Sequence, residues 1–274
     1  MTGPSIRAGV RAGIRVGIGG WTFEPWRDNF YPKGWSQARE LEYASRKMTA
    51  IEVNGTYYSS MKPATFAKWR AESPDGFMFS LKANRFATNR RVLAEAGESV
   101  TKFIDSGLAE LGDKLGPVLW QFAPTKRFDP VDFEAFLKLL PAKVGGLPLR
   151  HVMDVRHDSF KTPEYLALAR RYRAATVFTD SDDYPSFADI TGDFLYARMM
   201  RSQSSLPLGF TPEALEQVAQ CGQRWVTGDE PDGLPRVEAK PPAAAPRDVF
   251  LYFISGAKER NPAAAMRVIE LLGN

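Results

Sequence analysis

Eight short runs of β-branched and aromatic residues, spaced along the chain with helical patterns between them, constrain this sequence more than any other feature. They are Ile14–Ile18, Ala50–Val53, Phe77–Lys82, Val118–Phe122, His151–Arg156, Thr176–Thr179, Phe194–Arg198 and Val249–Ile254. The intervening segments carry helical spacing. Glu40, Tyr43, Ala44 and Lys47 share a face, and Phe103, Ile104, Leu108 and Leu111 repeat at three and four residues as one packed helix would. Proline marks helix starts independently. Asp129-Pro130, Thr162-Pro163, Thr211-Pro212 and Asn261-Pro262 each set a capping side chain before a proline, which tolerates the first helical position because its missing N–H has no partner there. Lys62-Pro63 is a weaker version. Strands alternating with helices predict an α/β fold, a single (β/α)8 TIM-type barrel.

Length agrees, since 274 residues suit one such barrel of about 250. The expected division is a mobile N-terminal tail over residues 1–13 and a barrel domain over 14–274. Two places fit less well. Asp183–Ile190 leaves barely two turns for a sixth helix. Thr227–Arg247, with Pro241-Pro242 and Pro246, reads as an irregular insertion before the last strand, at the face opposite the strand ends.

Composition excludes several classes. The lone Cys221 cannot form an intramolecular disulfide and fits a reducing, cytoplasmic setting. Met1–Gly13 has no apolar signal-peptide core, and no apolar run approaches the roughly 20 residues that cross a bilayer, so no membrane is expected. A net charge of +4 permits an anionic ligand or nucleic acid without demanding either. No Gly-rich phosphate loop, nucleophile elbow or dinucleotide fingerprint is present, which disfavours kinase and nicotinamide chemistry.

In a barrel of this kind the ligand face is built from the carboxyl ends of the strands. Those ends are polar here: Glu52 and Asn54, Lys82, Gln121, Asp154 and Arg156, Asp180, Tyr196 and Arg198, and Tyr252. Period-two counting sets Glu52 with Asn54, Asp154 with Arg156, and Tyr196 with Arg198 on common faces. Three acids (Glu52, Asp154, Asp180) would then meet three bases (Lys82, Arg156, Arg198). The opposite reading of these six charges is an ion-pair network plugging the lumen. The following loops add Gly19-Gly20-Trp21, Tyr57-Tyr58 and Arg85, Arg90 and Arg91. Trp21 and Tyr57 offer flat faces or loop packing, and the arginines offer a phosphate clamp or a solvated rim. Gly19-Gly20 is read as a tight turn or a close approach to ligand.

Several of these segments also carry a resemblance. Gly17-Ile18-Gly19-Gly20-Trp21, Trp26 with Phe30-Tyr31-Pro32, Glu52-Val53-Asn54 with Tyr57-Tyr58, Leu81-Lys82-Ala83-Asn84-Arg85, Leu115-Gly116-Pro117-Val118-Leu119-Trp120-Gln121 and Val155-Arg156-His157 resemble the YecE-like family, barrel proteins classed as a domain of unknown function. The resemblance spans roughly Arg15–Leu272. It implies a TIM-type barrel, related in shape to xylose-isomerase and abasic-site endonuclease barrels, and supplies no reaction. The chain departs from the family pattern at Asn89, at Met200, and over Ile254–Arg260, where Lys258 or Arg260 would stand in for missing polar contacts.

Both histidines fall in His151–His157. Six residues apart on an extended strand, about 20 Å, they cannot share a metal. His151 opens the strand at the far face and reads as structural. His157, at the strand end, reads as a loop cap or an acid–base group. A divalent cation held by Glu52, Asp154 and Asp180 is disfavoured by Lys82 and Arg156, so neither metal nor cofactor is expected. The leading expectation is a metal-independent enzyme acting on a phosphate-bearing ligand, a nucleotide or nucleic-acid end. Glu52 or Asp154 would be the base, Lys82 and Arg156 would stabilise anionic charge, and Arg85 would grip phosphate. Trp21, Asn54, Tyr57, Gln121, His157, Asp180, Arg198 and Tyr252 would line the ligand. The alternatives are a sugar isomerase, epimerase or hydrolase using Glu52 and Asp154 as a carboxylate pair, and a non-catalytic nucleic-acid binder.

Overall fold

The computed structural model describes residues 13–27, 29–239 and 243–273; the predicted tail up to residue 12 and Pro241-Pro242 of the predicted insertion lie outside them. Eight strands close a barrel in sequence order. They are β1 (Ile14–Gly19), β2 (Ala50–Val53), β3 (Met78–Lys82), β4 (Leu115–Gln121), β5 (His151–Asp154), β6 (Ala175–Thr179), β7 (Phe194–Met199) and β8 (Asp248–Phe253). All neighbours pair in parallel, and β8 returns to β1 with Val249 opposite Ile14 and Phe253 opposite Ile18. This is the predicted α/β TIM-type barrel.

Side-chain alternation splits the core in two. Outward residues such as Ile51, Phe79, Trp120 and Met153 pack beneath the helices. Inward residues Ala50, Met78, Leu119, Val152, Val177, Phe194, Tyr196, Phe250 and Tyr252 fill the lumen. The barrel is therefore plugged through its middle by apolar and aromatic side chains, with Arg150 stacked on Phe194 and Phe250 below and the cluster of predicted polar residues at its carboxyl end.

The proline-marked starts divide by what their side chains do. Asp129 accepts from the N–H groups of Val131 and Asp132, Thr162 from Tyr165 and Thr211 from Ala214, each opening a helix (Pro130–Leu139, Pro163–Arg171, Pro212–Thr227). The helix Pro63–Glu72 starts at proline with no side-chain cap. Asn261 is a correction: it is the first residue of the helix Asn261–Leu272, and its amide instead accepts from Ser202 Oγ at 2.9 Å and donates to Ser255 O at 3.1 Å.

Two further expectations are corrected. Phe103 to Leu111 is not one helix. Helix Gly97–Ile104 ends, Gly107 takes φ 117°, and a 3-10 segment Leu108–Lys114 follows. A Cβ at Gly107 would lie 2.6 Å from Pro63 Cα, so the chain turns where a helix could not pass. All four apolar residues are nevertheless buried. No helix forms over Asp183–Ile190. The later insertion lies against this segment instead. Ala188 N donates to Pro235 O at 2.7 Å, and the Asp189 carboxylate accepts from Val237 N and Glu238 N at 2.8 and 3.0 Å. Glu238 also pairs with Arg170 at 2.7 Å.

Candidate active site at the barrel mouth

Strand register brings the predicted charges together. Glu52 lies opposite Ser80, Lys82 opposite Leu119, Gln121 opposite Asp154, and Arg198 opposite both Thr179 and Tyr252, all facing inward. Arg198, 4% exposed, is the hub. One terminal nitrogen donates to Asp154 Oδ2 at 2.7 Å and the other to Glu52 Oε1 at 3.1 Å. Glu52, fully buried, also accepts from the Tyr196 hydroxyl at 2.8 Å. Arg156 joins through Nε and a terminal nitrogen, 3.2 and 3.0 Å from Asp154 Oδ2, and its guanidinium lies 4.1 Å above the Tyr184 ring. The Arg198 guanidinium stays charged because Glu52 and Asp154 outweigh its burial.

Part of the predicted set is thus a buried ion-pair chain, Glu52–Arg198–Asp154–Arg156. Glu52 has both oxygens occupied and is poorly placed as the expected base. The expected Glu52–Asp154 carboxylate pair is bridged by Arg198. Among the described residues no three His, Cys, Asp or Glu side chains gather into a metal-holding group. Asp180 faces elsewhere, accepting from Met200 N at 2.5 Å, and burial holds its carboxyl above the usual range.

Lys82 differs from its neighbours. It is buried at the end of β3, yet among the described residues no ion pair or hydrogen bond reaches its Nζ, which lies 4.2 Å above the Tyr57 ring. Burial first, and the Arg198 guanidinium second, push its ammonium down to about 8 against the pull of Glu52 and Asp154. Two nearby polar atoms, Gln121 Oε1 and Arg198 Nε, are also buried without a hydrogen-bond partner among the described residues. Buried polar groups are nearly always paired, so an orphan is a place where a water or a ligand can bind.

The remaining predicted residues scatter. Tyr252 is buried deeper, its hydroxyl 2.6 Å from Ser80 Oγ. Asn54 precedes the short helix Gly55–Tyr58, with Nδ2 3.5 Å from Glu52 O. His157 is a cap: Nδ1 accepts from Ser159 N at 3.1 Å. His151 is structural, accepting from Trp120 Nε1 at 3.0 Å and facing Pro141 O at 2.8 Å, and burial lowers its pKa. Trp21 leaves the lumen and meets Trp69 and outward-facing Phe79 edge-on at 5.1 and 6.4 Å. Gly20, at φ 78°, donates to Glu52 O at 2.8 Å, which makes the glycine pair a turn. Lys258 lies 4.4 Å above Phe23, a packing role. Arg85 is exposed and rests on Phe86.

Two clefts flank the mouth. One, of about 770 Å³, lies between Trp21 and Trp69 outside the barrel. The other, of about 640 Å³, lies between the loops after β3 and β4 and gathers Arg90, Arg91, Lys126 and Arg127, with Asp129 and Asp132. Lys126 is neutralised by Asp132 at 2.8 Å, and Arg90 is held by Phe86 O and Ser99 Oγ. Arg91 and Arg127 are exposed and enter no ion pair among the described residues. A relay of side-chain contacts runs from the cleft to Lys82: the lining residue Asn89 donates to the Tyr57 hydroxyl at 3.3 Å, and the Tyr57 ring lies under the Lys82 ammonium.

Sequence reasoning found the hub but missed Tyr184, Arg127 and the role of Tyr196. Period-two counting already set Tyr196 beside Arg198. No local signal places Tyr184 or Arg127, because both sit on irregular loops.

The family described as "Protein of unknown function DUF72" matches residues 15–274. The UPF0759 protein YunF of Bacillus subtilis is 25% identical over 155 residues, 54% of this chain, and the match spans about half (52%) of that protein's length. A crystal structure of a DUF72 family protein from Thermotoga maritima superposes with a TM-score of 0.71 at 18% identity, covering 95% of this chain and 99% of that one. A DUF72 family protein from Enterococcus faecalis gives 0.68 at 16% identity, covering 95% and 96%. These likenesses extend to the fold.

Proposed function

The chain belongs to the DUF72 family, and we propose that its barrel mouth is the site of a metal-independent enzyme acting on a small phosphate-bearing ligand. The phosphate lies in the cleft between Arg91 and Arg127, and the remainder reaches Lys82 and Arg156. The observation that carries this reading is the chain of contacts from the arginine cleft through Asn89 and Tyr57 to a buried lysine whose ammonium is unpaired among the described residues. Paired guanidinium groups match phosphate oxygens in bidentate fashion. The grip so moves from Arg85, which lines neither cleft, to Arg91 and Arg127. The ion-pair chain below is a rigid floor that holds Arg156 in place. The motif resemblance to YecE-like barrels and the lone, half-buried Cys221 suit this reading in a cytoplasmic setting.

Calorimetric titration with glycerol 3-phosphate and with glycerol tests it. The phosphate ester binds and the triol does not; Arg91→Ala and Arg127→Ala each weaken binding about ten- to a hundredfold, the worth of one charge-assisted contact, while Arg85→Ala changes little. No binding, or binding indifferent to phosphate or to both cleft arginines, overturns the proposal.

A nucleotide or nucleic-acid end is favoured among larger ligands by the exposed rings of Phe86 (60%), on the loop after β3, and Tyr58 (64%), on the loop after β2, since bases stack on such faces. A duplex-binding role would show an affinity falling with salt by a log–log slope of about −0.9 per neutralised phosphate.

A further inference from the structure

We propose that Lys82 forms a covalent imine with the carbonyl carbon of a phosphorylated aldehyde or ketone. The inference rests on the phosphate reading above and adds a substrate class and a chemical step to it.

A comparison within the molecule carries the argument. Lys82 and Lys114 are equally buried, at 6% and 5% exposure. Lys114 is saturated, donating to Arg70 O at 2.8 Å, Ser73 O at 2.5 Å and Ser73 Oγ at 3.2 Å, as a structural lysine must. The Lys82 ammonium makes no hydrogen bond or ion pair among the described residues and lies 4.2 Å above the Tyr57 ring. The charged groups around it are Arg198, Glu52, Asp154 and Arg156. Both carboxylates are bound to guanidinium groups, so neither clamps the amine. A lysine desolvated and set beside other cations is the arrangement that frees an amine lone pair near neutral pH. Accordingly, burial and Arg198 bring its pKa down to about 8.

The step balances without an oxidant or reductant. The neutral Nζ attacks the carbonyl carbon, and the C=O pair moves to oxygen, which takes a proton, while nitrogen releases one to solvent. The resulting carbinolamine expels its hydroxyl with a second proton as water, giving C=N. Gln121 lies two residues beyond Leu119, the strand neighbour of Lys82, on the same inward face, and its buried, unpartnered Oε1 would accept from the carbinolamine hydroxyl. Phosphate in the arginine cleft presents the carbonyl to the lysine.

Incubation with glycolaldehyde phosphate and sodium borohydride, followed by peptide mass mapping, tests the step. Hydride reduces any imine to a stable secondary amine. The expected result is an adduct on the Lys82 peptide at least tenfold over every other lysine, forming half-maximally near pH 8 and suppressed by glycerol 3-phosphate. Lys82→Arg and Lys82→Met lose it, with folding verified by circular dichroism, whereas Lys258→Met retains it. Glycerol 3-phosphate binding without a preferred Lys82 adduct overturns the imine and leaves the phosphate reading standing. A Lys82 adduct formed equally by unphosphorylated glycolaldehyde and unaffected by glycerol 3-phosphate supports the imine and overturns the phosphate reading.

Discussion

At the scale of single residues, the same lumen holds charges of opposite purpose. Arg198 is bound on two sides by carboxylates, so its removal leaves Glu52 and Asp154 buried without their shared cation. Arg198→Met should therefore lower unfolding free energy by about 3–5 kcal/mol in a denaturant titration, the range for stripping one partner from a buried pair. Lys82→Met should instead be neutral or stabilising, because that ammonium is desolvated without an ion-pair partner. The pH dependence follows in sign. Between about 8 and the ordinary lysine value of 10.5 the unfolded chain holds a proton that the folded chain lacks, so stability rises with pH across that window. The gain is about 3 kcal/mol at about 1.4 per tenfold. Below pH 8 both states are protonated and Lys82 adds no slope. Wild type minus Lys82→Met in stability should follow this curve; a flat difference would contradict it.

Individual elements show what sequence pattern conveys. β2 matches its predicted bounds and the other strands shift by a few residues, because alternation and β-branching are local signals. The caps at Asp129, Thr162 and Thr211 were equally legible, and Thr211→Ala should cost about 1 kcal/mol in thermal or chemical unfolding. Asn261 reads identically in sequence, but its partners Ser202 and Ser255 lie on other loops. The sixth helix fails for a related reason. Its place beside Arg170 is taken by residues 235–238, held by the Asp189 carboxylate, and no window of sequence announces that pairing across 48 residues. Asp189→Ala should speed amide hydrogen exchange at Val237 and Glu238 while leaving strand amides protected. Unchanged exchange there would show that the two hydrogen bonds do not hold the insertion.

For the molecule as a whole, strand order alone places Glu52, Lys82, Asp154 and Arg198 at one end of the lumen. It could not say which charges neutralise one another, since that depends on shear and side-chain reach around a closed barrel. Nor could it bring Arg127, from the loop after β4, into one cleft with Arg91, from the loop after β3. Among the described residues no helix is long and apolar enough to cross a membrane. The central claim is that this cleft is an anion site opening toward Lys82, and anomalous diffraction from a crystal soaked in tungstate, a heavy phosphate analogue, tests it most directly. The account predicts a tungsten peak between Arg91 and Arg127 that is lost in the double variant Arg91→Ala/Arg127→Ala. An empty cleft, with tungstate bound elsewhere or nowhere, would contradict it.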